Sequence, residues 1–238
     1  MDWHRMVQVA QSAAVAMNVL QWSLWLVGLT LQSLLLIALV HGAGRQFPAL
    51  FAYVVCLLGT TTADILAYVV VGRTSASFVT YYWSAEMVRQ SMLFALVVSL
   101  ALHSVTSLAK EQSYGRLITL VSVAMWAGSI LLYYDPNIDL WMTAVVRNLS
   151  FFTGVLNLFV WFSYARMKDR DTTRLMIAAG LGLQMTGEAI GQAIRLMNIS
   201  RNTDLAGALF VVLSHMLCLF IWWRAFEIQN TFEARHST

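Results

Sequence analysis

Long apolar runs alternate with short polar breaks along the whole chain. A helix needs roughly 20 residues to cross the hydrocarbon core of a bilayer. Seven runs have about this length, and they cover 20–41, 48–71, 78–103, 116–134, 141–165, 175–197 and 205–226. Both prolines, Pro48 and Pro136, fall in the breaks, where a helix boundary accommodates proline. The pattern predicts an all-α polytopic membrane protein with seven transmembrane helices in one bundle.

The composition supports this class of protein. Of the 238 residues, 59% are hydrophobic and only 11% are charged, whereas soluble domains carry about 25% charged residues. The net charge of +3 is spread over several breaks without a basic stripe, so nucleic acid is not an expected partner. The expected partner is the lipid bilayer. Cys56 and Cys218 both lie inside apolar runs and are expected to act as small packing residues.

The bundle is expected to occupy residues 20–226. Residues 1–19 are less apolar and carry Trp3, so they are expected to form a short helix at the membrane interface. Residues 227–238 would then be a short tail. No break is long enough to hold a soluble domain, so the function is expected to lie within the bundle or in what it contacts.

Basic residues in the breaks predict the orientation. Three lie on the side of the N-terminus: Arg5, Arg73 and Arg201. Nine lie on the other side: Arg45, Lys110, Arg116, Arg166, Lys168, Arg170, Arg174, Arg224 and Arg235. Because loops rich in lysine and arginine stay in the cytoplasm, the N-terminus is predicted outside and the C-terminus inside. The expected location is a bacterial inner membrane.

Ionisable residues inside the apolar runs are the candidates for function. Each costs about 2.5–3.5 kcal/mol at the centre of a membrane helix on insertion scales, so such residues usually have a role. The runs contain Asp64, Glu86, Arg89, Arg147, Glu188, Arg195 and His215. In the predicted orientation all of them lie in the outer half of the membrane or near its middle. Three carboxylates face three guanidiniums, which indicates a charged network, with Tyr82 as a hydrogen-bonding neighbour of Glu86.

The sixth run concentrates this polarity on one stripe. In the segment GLGLQMTGEAIGQAIR, residues 180–195, the side chains of Gln184, Gln192 and Arg195 fall within about 40° of Glu188 around a helix. Gly187 and Gly191 form a GxxxG step beside the stripe, typical of close helix packing.

The fifth and sixth runs are joined by a short break and are expected to be antiparallel neighbours. We therefore predict that Glu188 pairs with Arg147. Glu86 and Arg89 would form the opposing wall, with Asp64 nearby.

Two stretches resemble each other. SAEMVRQ, residues 84–90, and TGEAIGQ, residues 186–192, share two small residues, a glutamate and a glutamine at equal spacing. The third and sixth runs point in opposite directions, so an inverted repeat of the kind found in transporters is one explanation. Chance is the other, and seven residues leave both open.

The segments YYWSAEMVRQ, VRNLSFF and GLGLQMTGEAIGQAIR resemble a group of uncharacterised bacterial seven-helix membrane proteins. The likeness covers most of the chain in layout and these stretches in sequence. It implies the seven-helix fold and no particular chemistry. The layout is also weakly similar to the seven-span sensory modules of bacterial signalling proteins.

Several membrane chemistries are disfavoured. A retinal Schiff base needs a lysine within the bundle, yet Lys110 and Lys168 both lie in breaks. A haem held by His41 and His103, or a zinc site at His215, is a weaker alternative because the ligands are few. No catalytic motif is present. We expect no enzymatic activity, no cofactor and no metal.

Two functional hypotheses remain. In the first, the chain binds a small polar or anionic solute in a charged pocket in the outer half, for sensing or transport. In the second, it is a structural or accessory subunit whose ion pairs only hold the helices together. A second copy of the chain or other membrane subunits are candidate partners in either case.

Overall fold

The computed structural model describes residues 3–41, 43–71, 75–109, 112–132, 134, 138–167, 171–196 and 201–236. All regular structure within these ranges is helical. The α-helices are α1 (Trp3–Val40), α2 (Pro48–Val71), α3 (Ala76–Ala109), α4 (Gln112–Leu131), α5 (Ile138–Arg166), α6 (Thr172–Leu196) and α7 (Arg201–His236), and a short 3₁₀ helix, Ala43–Arg45, links α1 to α2.

Six helices in the described part of the chain are long and apolar enough to cross a membrane. Their candidate spans are Val19–Val40, Pro48–Val71, Ser77–Val105, Tyr114–Leu131, Ala144–Arg166 and Leu205–Ile228. These findings confirm the all-helical fold, and they show that six of the seven predicted spans form helices apolar and long enough to cross a membrane. Helix α6 forms at the predicted place, but it is not in this set because its polar stripe lowers its mean hydropathy. Its crossing of the membrane stays a prediction.

The two ends of the chain are more helical than the apolar pattern indicated. Helix α1 begins at Trp3 and continues without a break into the first span, so residues 3–19 do not form a separate helix. Helix α7 continues to His236, which makes most of the predicted tail helical. The interfacial location of the first residues stays a prediction.

The helix ends follow local sequence signals. Pro48 is the first residue of α2, where its missing N–H needs no intrahelical partner. Asp171 caps the start of α6, because its Oδ1 accepts a hydrogen bond of 3.1 Å from the Arg174 backbone N–H.

Helix contacts join six of the helices in a closed order. Helix α1 packs against α2 and α7, α2 against α3, α3 against α5, α5 against α6, and α6 against α7. Helix α4 lies outside this ring and contacts α3 and α5. The predicted contact between the fifth and sixth helices is therefore present.

The main apolar core fills one end of this ring. Its members come from the second halves of α1, α3 and α5, the middle of α7, the first halves of α2 and α6, and Phe47 before α2. Trp222 is fully buried there, and its indole Nε1 donates a hydrogen bond of 3.0 Å to the carbonyl of Ile177. This end is the predicted cytoplasmic half, so the charged residues lie on the other side of the core.

Candidate functional site

Arg89 on α3 holds two carboxylates at once. Its Nη1 lies 2.6 Å from Asp64 Oδ2 on α2, and its Nη2 lies 2.6 Å from Glu86 Oε2. The Arg89 Nε donates a further hydrogen bond of 3.1 Å to the same Glu86 oxygen. Only 16% of the Arg89 side chain is exposed. This arrangement joins α2 to α3, as the sequence predicted for Glu86, Arg89 and Asp64.

The geometry follows from helix spacing. Glu86 and Arg89 are three residues apart, so their side chains share one face of α3. The flat guanidinium offers donors along two edges, which lets one arginine bind carboxylates from two helices. Charge-assisted hydrogen bonds of this length are among the stronger ones in proteins.

Tyr81, which was not predicted, lies next to this group. The Tyr81 hydroxyl faces the Asp64 carboxylate and is buried. Tyr82 is 41% exposed, and its ring stacks on Phe78 with the centroids 6.5 Å apart. Tyr81 lies two helical turns before Arg89, on the same row of side chains as the buried Ala85. This spacing of four residues, from Tyr81 through Ala85 to Arg89, was the signal in the sequence that could have identified Tyr81.

Helices α6 and α7 contribute the opposite side of the site. The amide of Gln184, a residue that is only 4% exposed, faces both the Glu188 carboxylate and the Tyr53 hydroxyl. Glu188 is partly buried and interacts electrostatically with Glu86 across the ring. His215 on α7 is also partly buried and interacts electrostatically with Arg89.

We call this group the polar layer. It comprises Tyr53, Asp64, Tyr81, Glu86, Arg89, Gln184, Glu188 and His215, contributed by α2, α3, α6 and α7. Next to Arg89, Gln90 Nε2 donates a hydrogen bond of 2.6 Å to Ser150 Oγ, which brings α5 to the same level. The polar layer was predicted in outline, whereas Tyr53 and the Gln90–Ser150 bond were not.

The predicted pair of Glu188 with Arg147 does not form. Arg147 is exposed, and no ion pair joins it to Glu188, although both side chains are described. At this level α5 turns Val145 and Leu149 toward the interior, so Arg147, which lies between them in sequence, points to the other side. The prediction failed because the inward face of α5 is set by its packing against α3 and α6.

The predicted balance of charges is therefore different from the observed one. The described side chains of the polar layer include three carboxylates but only one guanidinium, that of Arg89. Gln192 and Arg195 lie on α6, but their side chains are outside the described part of the chain. Among the described residues, the layer carries an excess of negative charge if its acids are ionised.

Three buried oxygens in the layer have no hydrogen-bond partner among the described residues. They are Oε1 of Gln184, Oδ1 of Asp64 and the hydroxyl oxygen of Tyr81. Leaving a buried polar atom without a partner costs about 1–3 kcal/mol. Such atoms commonly mark the place of a bound water, ion or ligand.

The two glycines of the predicted GxxxG step lie against α7. A Cβ at Gly187 would be 2.1 Å from Ser214 Oγ, and one at Gly191 would be 2.4 Å from Val211 Cγ2. Both distances are far below van der Waals contact, so α7 approaches α6 this closely only because these positions have no side chain. The two glycines thus set the close approach of α6 and α7 at Ser214 and Val211.

The histidines and acids offer no evident metal site in the described residues, where no group of three or more potential ligands comes together. His41 and His103 are both exposed. The His41 Nδ1 lies 2.7 Å from the carbonyl of Ile37 in its own helix.

Comparison with known proteins adds no family to this picture. No protein-family model, curated protein sequence or solved structure matches the chain. The resemblance to bacterial seven-helix membrane proteins stays a prediction from sequence.

Proposed function

We propose that this chain is a seven-span, non-enzymatic protein of a bacterial inner membrane that binds a small polar solute in the polar layer, for sensing or transport. The proposal has three parts, namely the seventh span, the class of solute, and the residues that contact it. Each part is supported by a different feature of the described residues.

The seventh span is supported by the outward face of α6. Between residues 179 and 193, the described residues that it exposes recur at helical spacing and are Ala179, Leu183, Thr186, Ala189, Ile190 and Ala193. The only hydroxyl among them, that of Thr186, donates to the backbone carbonyl of Gly182 at 2.8 Å. This face suits lipid, while Gln184 and Glu188 point inward. A polar stripe that faces the interior of a bundle is how ionisable residues are accommodated in membrane helices.

The class of solute follows from the charges. Asp64 and Glu86 share one guanidinium, and no described side chain forms an ion pair with Glu188. A buried carboxylate without a counter-charge is costly. A cationic solute such as a primary amine would supply that charge, whereas an anionic one would add to the repulsion. Within the solute class of our sequence hypothesis, the geometry therefore favours polar cations over anions.

Gln184 is the observation that carries the proposal. Its side chain is nine-tenths buried, its Oε1 has no partner among the described residues, and it lies beside Glu188. An ammonium group has three N–H donors and no acceptor. The Glu188 carboxylate, Gln184 Oε1 and Tyr53 hydroxyl offer acceptors from two helices for such a group.

The test is the thermal stability of the purified full chain with added ethylammonium, acetate or glycerol. A ligand that binds only the folded state raises stability by about 2.7 kcal/mol at 100 times its Kd. We expect ethylammonium to raise the Tm of the unmodified chain and to have no effect on Glu188→Gln, which removes the charge and keeps the size. Glu227→Gln is the matched control, because Glu227 is 45% exposed and pairs with Arg224 away from the layer.

Each result has a distinct meaning. A shift with acetate but not with ethylammonium would overturn the cationic assignment and restore the anionic one. A concentration at which a compound changes the Tm of Glu227→Gln and Glu188→Gln equally marks its nonspecific effect. If none of the three compounds shifts the Tm of the unmodified chain below that concentration, solute binding in the layer is contradicted.

The structural alternative is favoured by one observation. Arg89 makes all of its described contacts within the protein and ties α2 to α3 through Asp64 and Glu86. If the layer serves only to hold helices together, Glu188→Gln should change the Tm of the chain. The added solutes should then shift the Tm of this variant and of the unmodified chain by the same amount. The Arg89 group would then be the part of the layer that joins the helices.

A further inference from the structure

A second candidate site lies at the opposite end of the molecule from the polar layer. The turn between α1 and α2 encloses a groove of about 660 Å³, lined by Leu39, Val40, His41, Gly44, Arg45 and Phe51. This volume lies within the range of sites for small molecules. The first candidate span ends at Val40 and the second begins at Pro48, so the groove sits at a membrane boundary.

The lining has two chemically different parts. Arg45 and His41 are both exposed and form the polar part. Val40, which is 64% exposed, together with Leu39 and Phe51 forms an apolar wall that continues into the face of α1. The groove is thus basic where it meets water and apolar where it meets the hydrocarbon.

The groove is held in shape by its surroundings. A Cβ at Gly44 would be 2.7 Å from the carbonyl oxygen of Leu39, so the backbone of the turn packs too closely against the end of α1 to admit a side chain here. Phe47, which follows the turn, is 7% exposed and packs edge-on against Phe226 of α7 with the centroids 5.5 Å apart. The guanidinium of Arg174 lies 5.2 Å from the Phe47 ring centroid. These contacts anchor the turn on α6 and α7.

The charge of Arg45 is not compensated within the described part of the chain. No described carboxylate forms an ion pair with it. The acid at the start of α6, Asp171, is held by Arg174, whose Nε lies 2.7 Å from Asp171 Oδ2. Arg45 therefore presents its donors to whatever occupies the groove.

We infer that this groove binds an anionic phospholipid. The phosphate would lie against Arg45 and His41, since a guanidinium matches phosphate oxygens in pairs. One acyl chain would follow Val40 and the outward face of α1, where Ile37 is 54% exposed. Basic pockets between membrane helices are known to take anionic headgroups in this way. This site is independent of the polar layer and of any solute bound there.

The test is lipid binding to the purified full chain in a neutral detergent. The probes are short-chain phosphatidylglycerol, phosphatidylcholine with the same acyl chains, and inorganic phosphate, and the readout is native mass spectrometry with the Tm in parallel. We expect phosphatidylglycerol to bind and raise the Tm. Arg45→Ala should weaken its binding about fivefold, as expected for one basic residue near a charged headgroup, and Arg45→Lys should retain most of it.

The control is Arg116→Ala, which removes an exposed charge from α4 on the same predicted side of the membrane. Equal loss of binding in Arg116→Ala and Arg45→Ala would show attraction by net charge and would overturn the site. Equal binding of the two lipids would show that only the apolar wall is used, and this result would also overturn the site. Binding of inorganic phosphate as tight as that of phosphatidylglycerol would overturn the assignment to a lipid.

Discussion

At the scale of single residues, the polar layer divides into a satisfied part and an unsatisfied part. Arg89 meets Asp64 and Glu86 at 2.6 Å each, so these three groups satisfy one another. Breaking such a group from one side leaves charges buried without a partner, at a cost of about 3–5 kcal/mol. Arg147, which was expected to take part, is exposed instead.

We therefore predict a clear contrast between two arginine substitutions. Arg89→Ala strands both Asp64 and Glu86 and should lower the Tm of the purified chain strongly. Arg147→Ala removes an exposed side chain and should lie close to the unmodified chain, because exposed substitutions usually change stability by less than about 0.5 kcal/mol. The measurement is thermal unfolding of both variants in the same detergent.

A triple variant serves as the check on the cause. In Arg89→Met with Asp64→Asn and Glu86→Gln, no charge is stranded, so part of the lost stability should return. Equal Tm values for Arg89→Ala and Arg147→Ala would contradict the central role of Arg89.

The sequence predicted the members of the site better than their partners. Asp64, Glu86, Arg89, Gln184, Glu188 and His215 could be found because polar side chains in apolar runs are costly and therefore stand out. The burial of the Tyr81 hydroxyl and the exposure of Arg147 depend on how each helix is rotated about its axis. The apolar pattern of α3 and α5 does not fix that rotation, since lipid-facing and buried positions are both apolar.

At the scale of elements, α6 is the helix on which the site depends. It carries Gln184 and Glu188 on its inner face, and Gly187 and Gly191 on the edge that meets α7. A close approach of two helices at small residues is the usual way in which membrane helices associate. Here the approach brings Ser214 and Val211 of α7 against the two glycines.

We predict that Gly187→Ala destabilises the chain by opening the contact between α6 and α7. The new methyl would overlap Ser214 Oγ and Cβ, at 2.1 and 2.2 Å. Overpacking of a tight contact typically costs about 1–3 kcal/mol. The measurement is the Tm of Gly187→Ala against that of Gly154→Ala, because a Cβ at Gly154 would meet nothing within 4 Å.

A compensating substitution tests whether the overlap is the cause. Ser214→Gly removes both atoms that the methyl would meet, so the double variant should recover part of the Tm. Recovery should be incomplete because glycine within a helix costs about 0.5–1 kcal/mol. A double variant that is no more stable than Gly187→Ala would show that the glycine matters for another reason.

At the scale of the whole molecule, the helices could be located from sequence and their arrangement could not. Run length and the polar breaks located six helices that are long and apolar enough to cross a bilayer. The position of α4 outside the ring of α1, α2, α3, α5, α6 and α7 depends on contacts between distant parts of the chain. No local pattern in the sequence encodes those contacts.

Whether α6 crosses the membrane decides if the molecule has six spans or seven. With seven spans the two termini lie on opposite sides of the membrane, whereas with six they lie on the same side. Helix α6 has the length to cross, because its 25 residues extend about 37 Å at roughly 1.5 Å per residue. Among its described residues from 179 to 193, the exposed ones are apolar or small, which suits lipid.

We predict that the termini lie on opposite sides, with the C-terminus in the cytoplasm. The nine basic residues on one side against three on the other set this orientation. In bacterial cells, a reporter that is active only in the cytoplasm should be active after Thr238 and inactive before Met1. A reporter active only outside the cytoplasm should give the reverse pattern. Equal activity of either reporter at both ends would mean that α6 does not cross. Activity of the cytoplasmic reporter at the N-terminus alone would invert the orientation and place the polar layer in the inner half of the membrane.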